Sequence, residues 1–245
     1  MQYELWILRQ DSPDSTPYRQ CIPFETDDPQ MTAATALTQI NETPGITDSE
    51  GKPVQPIRWE CSCLQKKCGA CAMRINGVPR LACDAKLAEC AKKGRITLEP
   101  LRKFPVVADL ICDRSVLMKN LHLLQIWFEA ETKADETVGD LTYDAARCLQ
   151  CGCCLEVCPN FYADGDFYGM AGLLPAARLL TALPDIQKDA LHRAYRAHLY
   201  EGCGKSLACR NICPAGIDID RLLVNSNAAA VWKRRMAKKK REKSR

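Results

Sequence analysis

The twelve residues CLQCGCCLEVCP at 148–159, met again as CGKSLACRNICP at 203–214, decide how this chain is read. Cys148, Cys151, Cys154, Cys158 and Pro159 recur 55 residues later as Cys203, Ser206, Cys209, Cys213 and Pro214, with Ser206 the one break in the five-position match. Two related loops of this kind can face one another as a pseudo-twofold pair of metal sites. Sixteen cysteines in 245 residues is far above ordinary usage, so their chemistry should dominate the molecule. An even count invites a disulfide reading, but that belongs to short secreted chains in oxidising compartments. The N-terminal MQYELWILRQ carries Glu4 and Arg9 inside its apolar run and does not read as a signal peptide. The apolar region 106–128 is interrupted by Asp109, Asp113, Arg114 and Lys119, too charged to span a bilayer. The expectation is a soluble chain in a reducing compartment, with thiols available to metal.

Working outward, the spacing C-x2-C-x2-C-x3-C-P is the run that holds four-iron clusters, and its fourth cysteine serves the other cluster when two are present. The repeat allows that exchange here. Cys148, Cys151 and Cys154 would take Cys213 to hold a [4Fe–4S] cluster, and Cys158 would cross to Cys203 and Cys209. The second site then has three thiolates, with Ser206 where the fourth should stand, and a [3Fe–4S] cluster is expected. Retention of a fourth iron by the serine alkoxide is the alternative. Upstream, Cys63-LQKK-Cys68-GA-Cys71, completed by Cys83, matches the C-x4-C-x2-C spacing of a [2Fe–2S] site, and Gly69 suits a loop whose amides approach a cluster. Structural zinc also uses paired cysteines, typically as two separated C-x2-C knuckles, which this spacing fits less well. Cys61 could compete with Cys63, although C-x4-C favours the latter. Cys21, Cys61, Cys90, Cys112 and Cys153 are left over and read as small hydrophobes. His122, His192 and His198 read as surface or core residues.

The pattern of the chain divides. YELWILR alternates, with Tyr3, Leu5 and Ile7 on one face, and QCIPFET is a second strand. DPQMTAATALTQINE reads as a helix capped by Asp28 with Pro29 in its first turn. Asn76-Gly77 between apolar runs signals a hairpin, and RITLEP closes as another strand. From about Pro105 the period looks helical, through Val107, Leu110, Ile111, Leu117, Leu121 and Leu124. The fold class expected is α+β: a plant-type ferredoxin β-grasp domain over 1–105, an all-α bacterial-ferredoxin-like domain over 106–232, and a basic tail over 233–245. The tail holds nine Lys/Arg and one Glu, so the remaining residues are net negative although the chain totals +4. That argues against a nucleic-acid-binding face. The tail reads as a solvated end, or as a contact for acidic lipid headgroups at about 1 kcal/mol per basic residue near the surface.

Taken in order, these motifs resemble the iron–sulfur subunit of succinate dehydrogenase and fumarate reductase, from about Tyr3 to Trp232, with PLRKFPVVADL fitting the interdomain segment. The resemblance implies electron transfer through three clusters between a flavoprotein subunit, which holds covalent FAD and the dicarboxylate site, and a membrane anchor carrying quinone and haem b. It also implies a chain with no catalytic residue of its own, peripheral to the cytoplasmic face of the cell membrane. No Gly-rich phosphate loop, nucleophile motif or flavin fingerprint stands against that. In several ubiquinone-reducing members a tryptophan and a histidine line the quinone site; Ala163 and Gly204 occupy the matching positions. Ser206 and CGACAMRING look more like members paired with a single dihaem cytochrome b and menaquinone. The alternative is an iron–sulfur adaptor of another oxidoreductase, of the thiol-dependent fumarate reductase or heterodisulfide reductase type.

Overall fold

A computed structural model describes residues 1–128, 140–180 and 185–233. The chain forms two compact units, Met1–Arg114 and Ser115–Arg245. The basic tail beyond Lys233 lies outside the described residues.

The first unit is built on a five-stranded sheet. It contains β1 (Gln2–Arg9), β2 (Tyr18–Glu25), α1 (Ala33–Glu42), β3 (Ala72–Ile75), β4 (Val78–Leu81), the short α2 (Leu87–Cys90) and β5 (Arg95–Glu99). The strand order is β2-β1-β5-β3-β4. Strand β1 pairs antiparallel with β2 and parallel with the central β5, so Leu5 lies between Ile22 and Ile96. The alternation of β1 buries Tyr3, Leu5 and Ile7, and the fully buried aliphatic Leu5 and Ile7 contribute about 1.5–3 kcal/mol each. Asn76 and Gly77 both take positive φ (50° and 79°), which a tight two-residue turn between β3 and β4 requires. Asn76 also ties the turn down: its Nδ2 donates to the Cys90 carbonyl at 2.6 Å and its Oδ1 accepts from the Thr97 N–H at 2.8 Å.

Two sequence expectations change. Helix α1 starts at Ala33, and Thr32 caps it by accepting from the Thr35 N–H at 3.1 Å. Asp28 instead accepts from the Gln30 N–H at 2.8 Å in the preceding turn. The segment read as helical from Pro105 begins as a small hairpin, β6 (Val106–Ala108) with β7 (Ile111–Cys112), and helix starts only at Ser115. The cause is Asp109, the charge inside that apolar run. It is 1% exposed and accepts from Arg9 Nε at 3.0 Å, Arg58 Nε at 3.1 Å, and the N–H groups of Gln10 and Arg58 at 3.0 and 2.9 Å. Burial alone would raise its pKa, but these donors outweigh it and hold the carboxyl below the usual range. Residues 106–114 are thereby part of the first unit, by contacts a hundred positions apart in sequence.

The second unit is helical. Among the described residues it comprises α3 (Ser115–Leu123), α4 (Asp140–Ala146), α5 (Cys153–Glu156), α6 (Gly169–Leu179), α7 (Asp185–Tyr195) and α8 (Ile219–Asn227). Helices α7 and α8 each run on into a π-helical turn, Arg196–Tyr200 and Ala228–Trp232. Their core joins Leu173, Leu174, Leu191, Tyr195, Leu222 and Leu223, and the partly buried Cys148, Cys154, Cys203, Cys209 and Cys213 pack against it. Pro175 lies inside α6 and has no N–H to give the Ala171 carbonyl four residues back.

Candidate metal centres

In the first unit Cys63, Cys68, Cys71 and Cys83 come from the loop before β3 and the turn after β4, and the Asn76-Gly77 hairpin brings the two together. Backbone amides point at their sulfurs. Gln65 and Lys67 N–H donate to Cys63 Sγ at 3.3 Å each, Lys66 N–H to Cys83 Sγ at 3.3 Å, and Ala70 N–H to Cys68 Sγ at 3.5 Å. Such a loop must fold tightly, and Leu64, Lys66 and Gly69 accordingly take φ of 52°, 60° and 77°. The Gln65 and Lys67 amides, with Cys68 beside them, lower the Cys63 thiol to about 7. Burial pushes Cys71 up to about 12, and its neighbour Cys83 adds to the rise. Convergent thiols with N–H donors aimed at them are the donor set an iron–sulfur core requires.

In the second unit the repeat extends to the backbone. Gln150 and Gly152 have φ of 51° and 86°, and Lys205 and Leu207, 55 positions on, have 56° and 55°. Both loops therefore place a left-handed residue on either side of the matching Cys151 and Ser206, although only the first continues as a helix, α5, and only the first carries glycine at the second such position. A non-glycine residue there costs roughly 1–2 kcal/mol, so the shape is imposed by its surroundings.

The thiols of the second unit fall beside two cavities. Burial raises Cys148 to about 11, with Cys151 and Cys213 as its like-charged neighbours. Burial raises Cys209 to about 11, with Cys158 and then Cys203 beside it. Cys154 is raised further, by burial first and then by Cys151, Cys148, Cys209 and Cys213. Cys148, Cys151, Cys154 and Cys213 line one cavity, and Cys158, Cys203, Ser206 and Cys209 line a second that Cys154 also borders. The two spaces adjoin, and in each a thiol from one repeat meets thiols of the other. Buried thiols held above neutral pH give up protons on binding metal, so loading these sites is coupled to proton release.

Ser206 lines its cavity and accepts from the Ala208 N–H at 3.5 Å, the same relation that Cys68 has to Ala70. Cys151, its counterpart in the first loop, is buried, whereas Ser206 is exposed in this chain. Gly204 abuts Asn160, whose amide would lie 3.1 Å from an added Cβ and which donates to the Gly202 carbonyl at 2.7 Å. Of the five leftover cysteines, Cys21, Cys90, Cys112 and Cys153 are buried and Cys61 is exposed. His192 is buried with Nδ1 3.1 Å from the Ala230 carbonyl; His198 stacks on Tyr168 with its Nδ1 2.8 Å from the Asp166 carbonyl. Among the described residues no helix is long and apolar enough to cross a membrane.

Sequence reasoning missed Gln150. Its side-chain Nε2 donates to Cys148 Sγ at 3.2 Å and to the Ala171 carbonyl at 2.9 Å. Nothing in the C-x2-C pattern signals it.

Comparison with known proteins agrees with this geometry. A family described as "2Fe-2S iron-sulfur cluster binding domain" matches residues 4–119, and one described as "4Fe-4S dicluster domain" matches 144–217. The chain is 34% identical to the succinate dehydrogenase iron–sulfur subunit of Bacillus subtilis, over 87% of this chain and 86% of that one. It is 29% identical to the fumarate reductase iron–sulfur subunit of Wolinella succinogenes, over 78% and 81%. In fold it matches a chain of the Mycobacterium smegmatis Sdh1 complex in the apo form, with TM-score 0.69 and 18% identity over 95% and 96% of the two chains. A sheet domain followed by a helical one, the two matching family models and these relatives over most of their length place the chain in the family of succinate dehydrogenase and fumarate reductase iron–sulfur subunits, whose role is electron transfer.

Proposed function

We propose that the chain carries electrons between a flavoprotein subunit and membrane quinone through three clusters, one held in the first unit, Met1–Arg114, and two in the second, which starts at Ser115. Cys63, Cys68, Cys71 and Cys83 would hold [2Fe–2S]; Cys148, Cys151, Cys154 and Cys213 would hold [4Fe–4S]; Cys158, Cys203 and Cys209 would hold [3Fe–4S], with Ser206 at the corner that lacks a thiolate. When bound, such clusters supply one-electron carriers whose potentials follow cluster type, charge, hydrogen bonding to sulfur and exposure. The chain's part is to position them, to aim N–H donors at their sulfurs and to bury two of them against an apolar core. The observation that supports the reading is that thiols of the two repeats lie together: Cys213 beside Cys148 and Cys154, and Cys158 beside Cys209.

The partners that follow are a flavoprotein with FAD and the dicarboxylate site, and a membrane anchor of the single dihaem cytochrome b type that uses menaquinone. The chain would then lie at the cytoplasmic face of the cell membrane, held through the complex. Gly204 and Ala163 offer no side-chain hydrogen bond, which supports a quinone site away from an aromatic wall on this subunit. The deciding experiment is low-temperature EPR with iron analysis on the oxidised complex, then on stepwise reduction. A sharp near-isotropic oxidised signal with about nine irons per chain is expected. A silent oxidised state with about ten irons would remove the three-iron assignment while leaving the electron chain standing.

A further inference from the structure

We propose that the Gln150 side-chain amide sets the reduction potential of the cluster held by Cys148, Cys151, Cys154 and Cys213, by donating to the Cys148 sulfur and holding that potential up. The inference rests on the ligand assignment given above.

Gln150 gives Cys148 two donors, its backbone N–H and its side-chain Nε2 at 3.2 Å. The side chain is anchored by a feature of α6. Pro175 cannot donate to the Ala171 carbonyl, and Nε2 takes that acceptor at 2.9 Å. The amide can face only one way, because a carbonyl accepts and never donates. Turned over, Oε1 would confront both the carbonyl and the sulfur. Its Oε1 is buried with no hydrogen-bond partner among the described residues, and a buried group of that kind calls for an explanation; here it is the N–H fixed on a ligand sulfur. In the second repeat the matching residue is Lys205, whose ammonium lies over the Tyr200 ring, 5.6 Å from its centre. The two cages thus differ in a side-chain donor as well as in the Cys151/Ser206 exchange.

The physical consequence has a definite sign. Reduction adds one electron and places more negative charge on the sulfurs. A donor to sulfur is then held more tightly in the reduced state than in the oxidised one. Removing it disfavours reduction and lowers the potential.

The test is an EPR-monitored redox titration of the complex assembled with its partner subunits, for wild type and Gln150→Met, which keeps length and apolar bulk without a donor. The expected result is a fall of about tenfold in the one-electron reduction equilibrium of the four-iron cluster, equivalent to about 59 mV, with the other two clusters unmoved. An unchanged potential with the four-iron signal intact overturns the proposal, as does an equal shift of all three clusters. Should the variant lose the cluster, wild-type complex carrying glutamine labelled with 15N in the side-chain amide decides. A 15N coupling to the reduced four-iron cluster in pulsed EPR upholds the role, and its absence overturns it. A wild-type complex with no four-iron signal would instead bring down the ligand assignment, and this inference with it.

Discussion

Replacing Ser206 with cysteine tests the proposal that one corner of one cluster site lacks a thiolate. The backbone is already shaped for a ligand there. Lys205 and Leu207 on either side hold the left-handed φ of 56° and 55° that Gln150 and Gly152 hold around Cys151. The Ala208 N–H sits 3.5 Å from Ser206 Oγ, as the Ala70 N–H does from Cys68 Sγ. The side chain already faces the cavity lined by Cys158, Cys203 and Cys209. The longer C–S bond would carry a sulfur further into that space without moving the main chain, so the loop has nothing to rearrange. The magnitude is therefore an integer. Iron should rise by one per chain, from about nine to about ten, and the near-isotropic oxidised signal should vanish as a four-iron cluster, silent when oxidised, replaces the three-iron one. The assay is iron and sulfide analysis with EPR at liquid-helium temperature on complex isolated under strict anaerobiosis, since an exposed corner loses iron to oxidants. A Ser206→Cys complex with an unchanged oxidised signal and an unchanged iron count would refute the reasoning: position 206 would then not address the vacant corner, whatever the repeat suggests.

Asp109→Asn should weaken the first unit at neutral pH by about 3–5 kcal/mol, the cost of leaving a buried partner such as Arg9 without its counter-ion; asparagine tolerates the φ of 44° at this position, so the loss is electrostatic. Because the Asp109 pKa is depressed in the folded state, its contribution is complete above the ordinary carboxylate value of about 3.9 and is lost as pH falls through it towards the folded value. Urea denaturation of wild type and variant, in the same cluster state, should show a gap at pH 7 that narrows below about pH 4; a constant gap would contradict the ion-pair account. Gly202→Ala should destabilise the helical unit by about 1–3 kcal/mol, because the new Cβ would lie 2.5 to 2.8 Å from the ring and Cβ of Phe167. Thermal loss of the second unit's cluster signals reads this, and a variant as heat-resistant as wild type would show that Phe167 turns aside freely.

Local and periodic features were legible in the amino-acid order alone. The alternation of β1, the Asn76-Gly77 turn, the three cysteine spacings and the 55-residue repeat each depend on neighbours a few positions apart, so the α+β class and the candidate ligands could be read without coordinates. The repeat also suggested the exchange of Cys158 and Cys213 proposed above, because two copies of one loop can share ligands only in a limited number of ways. Tertiary structure decided the rest, where distant residues settle a local choice. Residues 106–114 carry a helical period, yet Asp109 is held by Arg9 and Arg58 from far upstream, and a buried, charge-paired carboxylate outweighs a modest periodic preference. Thr32 rather than Asp28 caps α1, since either residue type can serve and the packing around Ala85, whose carbonyl accepts from the Ala33 N–H at 2.9 Å, fixes where the helix starts. Leu207 holds a left-handed φ of 55° that its side chain disfavours, a choice the cysteine spacing does not announce. Gln150 shows the limit most clearly: its role needs the carbonyl that Pro175 frees on α6, and no spacing within the cysteine motif could have disclosed an acceptor that lies 21 residues away.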